Sequence, residues 1–270
     1  MPARAEIKQD ETVRILVTND DGAHAPGLWA LVRAVRPLGE IVVSAPDRDR
    51  SGVGPALSVN DMIRAKEVTP EIEGVRTFAV EGTPGDAAVL GLRKLVGEPV
   101  DLVVSGINPG TNVGEDVVIS GTVGAGLHAF LNGVSTVAIS VDGDSDPSHP
   151  AVQSVTRAIV AEVARARGFP WFVNVNFPGE RPRGARRTRV ATRLLEDTID
   201  TVQRGHRTYY WLLRRGGRSA DSAAPDTDVA AVRRGYLSIS ALYPEFTEGD
   251  VTSRLDALVR AAEGALEGGG

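Results

Sequence analysis

Two adjacent carboxylates at the end of an apolar run carry the strongest chemical signal in the chain. Asn19-Asp20-Asp21-Gly22 directly follows Val13-Arg14-Ile15-Leu16-Val17-Thr18. Carboxylates held that close repel, and one of them tends to stay protonated. A divalent cation removes the conflict, and hard cations prefer such oxygen ligands. Asp-Asp-Gly is also ordinary turn chemistry, with Gly taking φ > 0, so the metal reading depends on what accompanies it. A second constellation runs from Ser105 to Thr122. It holds four glycines between Gly106 and Gly121, with Asn108 and Asn112 among them. Glycine lets backbone N–H groups approach an anion closely, and Asn adds donors and a ligand oxygen. Ser120-Gly121-Thr122 then opens a helical pattern, and a helix N-terminus is an anion site. Ser120 or Thr122 as a plain N-cap is the structural alternative.

Other motifs carry less. Thr83-Pro84-Gly85-Asp86 reads as a capping box, with Pro84 at the first helical position. Arg48 and Arg50 could meet phosphate, but exposed arginines usually face solvent. Gly124-Ala125-Gly126-Leu127-His128-Ala129 has dinucleotide-fingerprint spacing but follows a loop rather than a strand. Asp142-Gly143-Asp144-Ser145-Asp146 begins like a calcium loop, yet Pro147 and Gln153 occupy the positions that require Gly and Glu. Asp142 after a strand also resembles an aspartyl nucleophile of haloacid-dehalogenase-like phosphatases, weakened by Asp146 where Thr or Val is expected. No Walker A sequence, Gly-x-Ser-x-Gly elbow or ligand-spaced histidine pair occurs.

The elements that must position these loops alternate. Strand patterns at 13–18, 41–44, 101–105, 136–141 and 171–176 are separated by helical patterns at 26–35, 83–96, 122–131 and 151–167. Short apolar strands alternating with helices predict an α/β fold with a doubly wound, mostly parallel sheet. Ligands then bind beyond the carboxyl ends of the strands. After about residue 178 the pattern changes. Strands are predicted at 208–213 and 236–242, a flexible loop at 214–228 and an amphipathic helix at 251–266. The expected organisation is a core over 13–180, a β-rich extension over 181–245 that serves oligomerisation, and a C-terminal helix and tail over 246–270.

Composition narrows the function classes. The chain has 270 residues, 42% of them apolar, enough for one large core. No cysteine occurs, which excludes thiolate sites and disulfides and fits a cytoplasmic location. The polar segment 1–12 lacks the apolar core of a leader, and no apolar run is long enough to span a membrane. A net charge of −5 argues against general nucleic-acid binding.

Taken in order, the motifs resemble the SurE family of metal-dependent nucleotidases. They are Asn-Asp-Asp-Gly, Ala45-Pro46 followed by Ser51-Gly52, Gly82-Thr83-Pro84 with Asp86, Ser105-Gly106-Ile107-Asn108 with Gly110 and Asn112, and Ser120-Gly121-Thr122-Val123-Gly124-Ala125. Asn174-Val175-Asn176-Phe177-Pro178 and Asp226-Thr227-Asp228 resemble later family segments. The resemblance covers about residues 13–245. It implies a Rossmann-like fold with a β-hairpin extension exchanged within a homodimer, often inside a homotetramer. It implies one divalent ion per subunit, Mg²⁺ or Mn²⁺, held by Asp20, Asp21, Ser51 and Asn108. Asn112, Ser120, Gly121 and Thr122 match positions at the phosphate pocket, and Asp20, Asp21 and Asn112 are the expected catalytic residues. The implied reaction is hydrolysis of nucleoside 5′- or 3′-monophosphates to nucleoside and phosphate.

The chain departs from the family at Ile119, commonly aromatic, and at Pro109, commonly Arg or Lys. It also departs at Ala191-Thr192-Arg193-Leu194-Leu195 and at Ser240-Ala241-Leu242. These positions surround the pocket rim and extension, so the substrate stays open. A specialised non-nucleotide phosphomonoester or a short polyphosphate is the alternative substrate. A covalent route through Asp142 is the alternative mechanism, and a non-catalytic nucleotide-binding module is the alternative of another class.

Overall fold

A computed structural model describes residues 13–166, 168–192, 196–215, 224–243 and 259. The helix expected over 251–266 falls, apart from Val259, outside these described residues. The first strand, β1 (Arg14–Thr18), is buried from Ile15 onward. It leads through the turn at 19–22 into α1 (Pro26–Val35), which Pro26 opens at the first helical position. β2 (Glu40–Pro46), β3 (Ala65–Glu67) and β4 (Arg76–Val80) follow. Then come α2 (Pro84–Leu90), β5 (Leu102–Pro109), α3 (Asp116–Ile119), α4 (Gly121–Leu131) and β6 (Ser135–Val141). α5 (Pro150–Arg165) and β7 (Phe172–Phe177) complete the alternation.

Six strands run parallel in the order β4-β2-β1-β5-β6-β7. The chain winds outward from β1 to β4, returns to β5 beside β1, and winds the other way to β7. The topological switch therefore lies between β1 and β5, where a crevice opens beyond the strand ends. Those ends carry the two sequence constellations. Alternation along β1 sorts the core: Ile15 and Val17 pack with Leu28, Trp29 and Leu31 of α1, whereas Leu16 packs with Val42, Phe78, Val103 and Ala129 on the other face. α5 lies beside α1, with Gln153 and Arg157 donating to the carbonyls of Ala30 and Ala34 at 2.9 Å each.

Three differences from the sequence reading have physical causes. β3 and β4 are short strands in a stretch to which the sequence reading gave no element. The helix expected over 83–96 is α2 followed by one wide i→i+5 turn at Gly91–Leu95. Gly91 there lies so close to β1 and β2 that a Cβ would stand 2.8 Å from Leu16 Cδ2. The third difference concerns the segment after 180. β8 (Ala185–Thr188) and β11 (Leu237–Ala241) join the main sheet, β11 antiparallel to β7 and parallel to β8. Thr188 Oγ1 bonds to Ser238 Oγ at 2.7 Å and Ser240 Oγ at 2.8 Å, so short hydroxyls fasten that edge. Only β9 (Glu196–Arg204) and β10 (Arg207–Arg215) stand apart, as a two-stranded antiparallel hairpin. The loop read over 214–228 is strand at Arg214–Arg215 and opens α6 (Asp228–Arg233), capped by Thr227, at its end; residues 216–223 lie outside the described set.

Candidate active site

The turn after β1 is closed by Asn19, not by the carboxylates. Its Nδ2 donates to the Gly22 carbonyl at 3.1 Å, and the Gly22 N–H donates to Oδ1 at 3.2 Å. Gly22 has φ +108°, and a Cβ there would stand 3.2 Å from the Arg48 backbone. The Asp20 and Asp21 carboxylates each draw on their own backbone N–H. Asp20 is 3% exposed and accepts a hydrogen bond at Oδ1 from Thr122 Oγ1, at the N-terminus of α4. Gly121 packs against the same side chain; a Cβ there would lie 2.7 Å from Asp20 Cβ and 2.8 Å from Oδ2.

Asp21 is the more telling of the pair. Its Oδ2 is buried with no hydrogen-bond partner. Burial first, then the charges of Asp20 and Asp49, push its carboxyl up to about 7. Burial also raises Asp20. Two adjacent carboxylates, desolvated and one with an orphaned oxygen, fit a bound cation better than any other device. Among the described residues no three His, Cys, Asp or Glu side chains are gathered as a metal cluster. The other residues expected as ligands, Ser51 and Asn108, offer neutral oxygens.

The Arg50 N–H donates to the Asp20 carbonyl at 2.8 Å, bringing the 47–52 loop alongside the turn. Ser51 is exposed, and its N–H and Oγ both donate to Asp49 Oδ1, at 2.7 and 2.6 Å, leaving the Oγ lone pairs available. Asn108 lies near the end of β5, past a register shift between Ser105 and Asn108. Its Nδ2 donates to the Gly110 carbonyl at 2.6 Å, which leaves Oδ1 as the atom to offer. Among the described residues no hydrogen bond joins Asn108 directly to the Asp20–Asp21 turn.

Asn112 is held differently from the sequence expectation. It is buried, with its Nδ2 on Ser140 Oγ at 2.9 Å and its N–H on Asn176 Oδ1 at 2.7 Å. Its carbonyl accepts from Asn174 and Asn176 at 2.9 and 3.1 Å. One amide hydrogen is left for a ligand. Ser120 takes the capping role: its Oγ accepts from the Val123 N–H at 3.1 Å, which leaves its hydroxyl hydrogen and the Gly121 N–H for an anion, while the Thr122 backbone N–H serves the Asp20 carboxylate. Thr83 and Asp86 form the predicted capping box and hold Ser58, so they organise the neighbouring loop. Asp142 is exposed in the turn after β6, and among the described residues no hydrogen bond ties it to these loops.

Sequence reasoning missed Ser140, Asp49 and Asp228 as parts of the site's support. Asn174 and Asn176 did leave a signal: two amides at i, i+2 on one face of an otherwise apolar strand. Two concavities, of about 180 and 520 Å³, lie elsewhere, one at Arg36 and Arg76 and one at Arg187 to Val190 and Tyr243.

Comparison with known proteins places the whole chain. The family model for survival protein SurE matches residues 15–199. A 5′-nucleotidase SurE from Dehalococcoides mccartyi is 42% identical over 253 residues, covering 91% of this chain and 94% of the relative. The 5′-nucleotidase SurE 1 of Thermus thermophilus is 38% identical over 260 residues, covering 95% and 99%. The crystal structure of the SurE protein from Aquifex aeolicus superposes with a TM-score of 0.74 at 30% identity, covering 91% of this chain and 99% of that one.

Proposed function

The chain belongs to the SurE family, and from that premise we propose how its crevice works as a 5′-nucleotidase. It is a phosphoric monoester hydrolase acting on nucleoside monophosphates. Membership implies a divalent metal; one Mg²⁺ or Mn²⁺ per subunit is the finer assignment. The orphaned Asp21 Oδ2 and the two raised carboxyls support it. Asp20, Asp21, Ser51 and Asn108 would hold the ion. When bound, such an ion supplies Lewis acidity toward the phosphoryl group and lowers the pKa of water.

The protein's own residues do the rest. One observation carries the reading: the Ser120-Gly121-Thr122 turn holds Asp20 through Thr122 while the Gly121 N–H and the Ser120 hydroxyl hydrogen stay available. Thr122 spends its hydroxyl on Asp20 and fixes that carboxylate. Its backbone N–H also serves Asp20, so the Gly121 N–H and the Ser120 hydroxyl are the donors left for a phosphoryl oxygen. Asn112 would add its remaining amide hydrogen. These dipoles are preorganised, so they stabilise charge on the phosphoryl group without reorganising during the reaction.

The hairpin supports an assembly. Ile199, Tyr210, Trp211 and Leu212 are 61–73% exposed, and a lone two-stranded hairpin is marginal in water. We place it on another copy of the chain, by exchange, in a homodimer or homotetramer. Among the described residues no helix is long and apolar enough to cross a membrane. A cytoplasmic location, without a nucleic-acid partner, remains part of the proposal.

The test is phosphate release from a panel of nucleoside 5′- and 3′-monophosphates, a sugar phosphate and a short polyphosphate, with Mn²⁺, Mg²⁺ or EDTA. EDTA-sensitive release, fastest on a nucleotide, is the expected result. Tight nucleotide binding without release under any metal would favour the binding-module alternative.

A further inference from the structure

Asp228 is fully buried, and the reaction as described makes no use of it. Its Oδ2 accepts the Gly114 N–H at 2.8 Å. Its Oδ1 accepts the Ala191 N–H at 2.9 Å and the Val229 N–H at 2.7 Å. A buried carboxylate without a cation is costly, and three backbone donors are what make it tolerable. Burial still raises its carboxyl above the ordinary range despite those bonds. Thr227 caps α6 through the Ala230 N–H, so beyond the Val229 N–H the carboxylate is spent on Gly114 and Ala191, outside the helix. The carboxylate therefore serves what it connects.

It connects three places far apart in sequence. Gly114 closes the 110–114 loop, which presents Asn112 to the crevice. Ala191 lies just before β9, and Asp228 itself lies just after the segment returning from β10. The same root is cross-tied by the Arg189 N–H on the Asp226 carbonyl at 3.0 Å and the Asp228 N–H on the Arg189 carbonyl at 2.9 Å. Val113, Ala191 and Val229 pack beneath as a small apolar cluster. Loop and hairpin root thus meet on one side chain.

We infer that Asp228 is a positioning residue that clamps the Asn112 loop to the root of the hairpin and so sets the phosphate-binding geometry. This rests on the phosphomonoesterase reading for what the loop binds. Hydrogen bonds from the other side, to Asn174, Asn176 and Ser140, fix the loop at Asn112. Asp228 fixes it two residues later, so the donor of Asn112 is held at both ends.

Asp228→Asn isolates the loop contact. Its remaining oxygen can take the Ala191 and Val229 N–H groups, while an NH₂ then faces the Gly114 N–H. The expected result is a folded protein whose kcat/KM on a nucleoside 5′-monophosphate falls about tenfold to a hundredfold, the scale of a displaced positioning group. Inhibition by inorganic phosphate should weaken in parallel, with Mn²⁺ affinity unchanged within about twofold. Deuterium exchange at residues 110–114 should accelerate. A merely structural role would lower Tm and leave turnover and phosphate inhibition per folded molecule at wild-type values, and that outcome overturns the inference. Val113→Ala loosens the same loop without altering a buried charge and should weaken phosphate inhibition in the same direction. If Asp228→Asn does not fold, unchanged phosphate inhibition in Val113→Ala overturns the clamp. If the wild type releases no phosphate, the phosphomonoesterase reading fails, and unchanged exchange at 110–114 in the variants still decides against the clamp.

Discussion

The crevice at the β1–β5 switch and the β9–β10 hairpin are opposites in how they satisfy their own chemistry. In the crevice, polar groups are buried and many are bound: Asn19 to Gly22, Thr122 to Asp20, Asn112 to Ser140 and Asn176. Asp21 Oδ2 is the carboxylate oxygen without a partner, and Thr18 Oγ1, Ser105 Oγ and Asn174 Oδ1 are likewise buried and unpartnered. In the hairpin, the backbone is paired through the full length of both strands, but large apolar side chains face outward on both sides. One region lacks a counter-charge and the other lacks an apolar partner. Each deficit matches the completion proposed for it: a cation in the first, protein surface in the second.

That contrast breaks if the two deficits are not independent. The largest expected effect is at the carboxylates. Asp20→Asn or Asp21→Asn should cut phosphate release about a hundredfold or more, because ligand charge is lost. Oligomeric state by light scattering should stay as in wild type. Full activity in both variants would remove the metal assignment. Next in size is Gly121→Ala. The added Cβ would fall 2.7 Å from Asp20 Cβ, so Asp20 must shift, and kcat should fall about tenfold to a hundredfold. Wild-type kcat there would mean that the α4 N-terminus and Asp20 do not act as a unit.

Trp211→Ser with Tyr210→Ser addresses the other region. These are exposed aromatics of the kind that anchor interfaces. The dissociation constant of the assembly should rise about tenfold or more, read by sedimentation, while Mn²⁺ affinity stays constant. A monomeric wild type at micromolar concentration would show that the hairpin needs no partner.

The smallest effect sharpens the crevice side. The Asp21 carboxyl rises from its ordinary 3.8 to about 7 in the folded protein. Between those values the unfolded chain binds fewer protons than the folded one, so metal-free stability falls as pH rises through that window. A bound cation favours the ionised form. The rise in Tm on adding Mn²⁺ should therefore be a few degrees larger at pH 8 than at pH 5. The difference should shrink in Asp21→Asn, and an equal rise in wild type at both pH values would count against Asp21 as a ligand.

Much of the site was legible before the fold because turn and cap chemistry is local. Asn19 to Gly22, the Thr83–Asp86 capping box and Ser120 before α4 all act over three residues, and each is found where the pattern places it. α1 spans Pro26–Val35 for the same reason: a proline start and an apolar face repeating every three to four residues. β11 reads as part of the extension because a short alternating strand looks alike in a hairpin and at a sheet edge. The sequence assigns Asn112 to phosphate alone because nothing local reveals Ser140 and Asn176, which sit 28 and 64 residues away.

The sequence by itself determined the α/β alternation and the loops that end in carboxylates, amides and glycines, since these follow from periodicity and from backbone freedom at single residues. Tertiary structure alone decided that β1 lies beside β5 and that Thr122 reaches Asp20. It also decided that Asp228 joins Gly114 to Ala191, 114 and 37 residues distant. Strand order depends on which faces and edges can be covered together, a property of the whole chain that no window of residues contains.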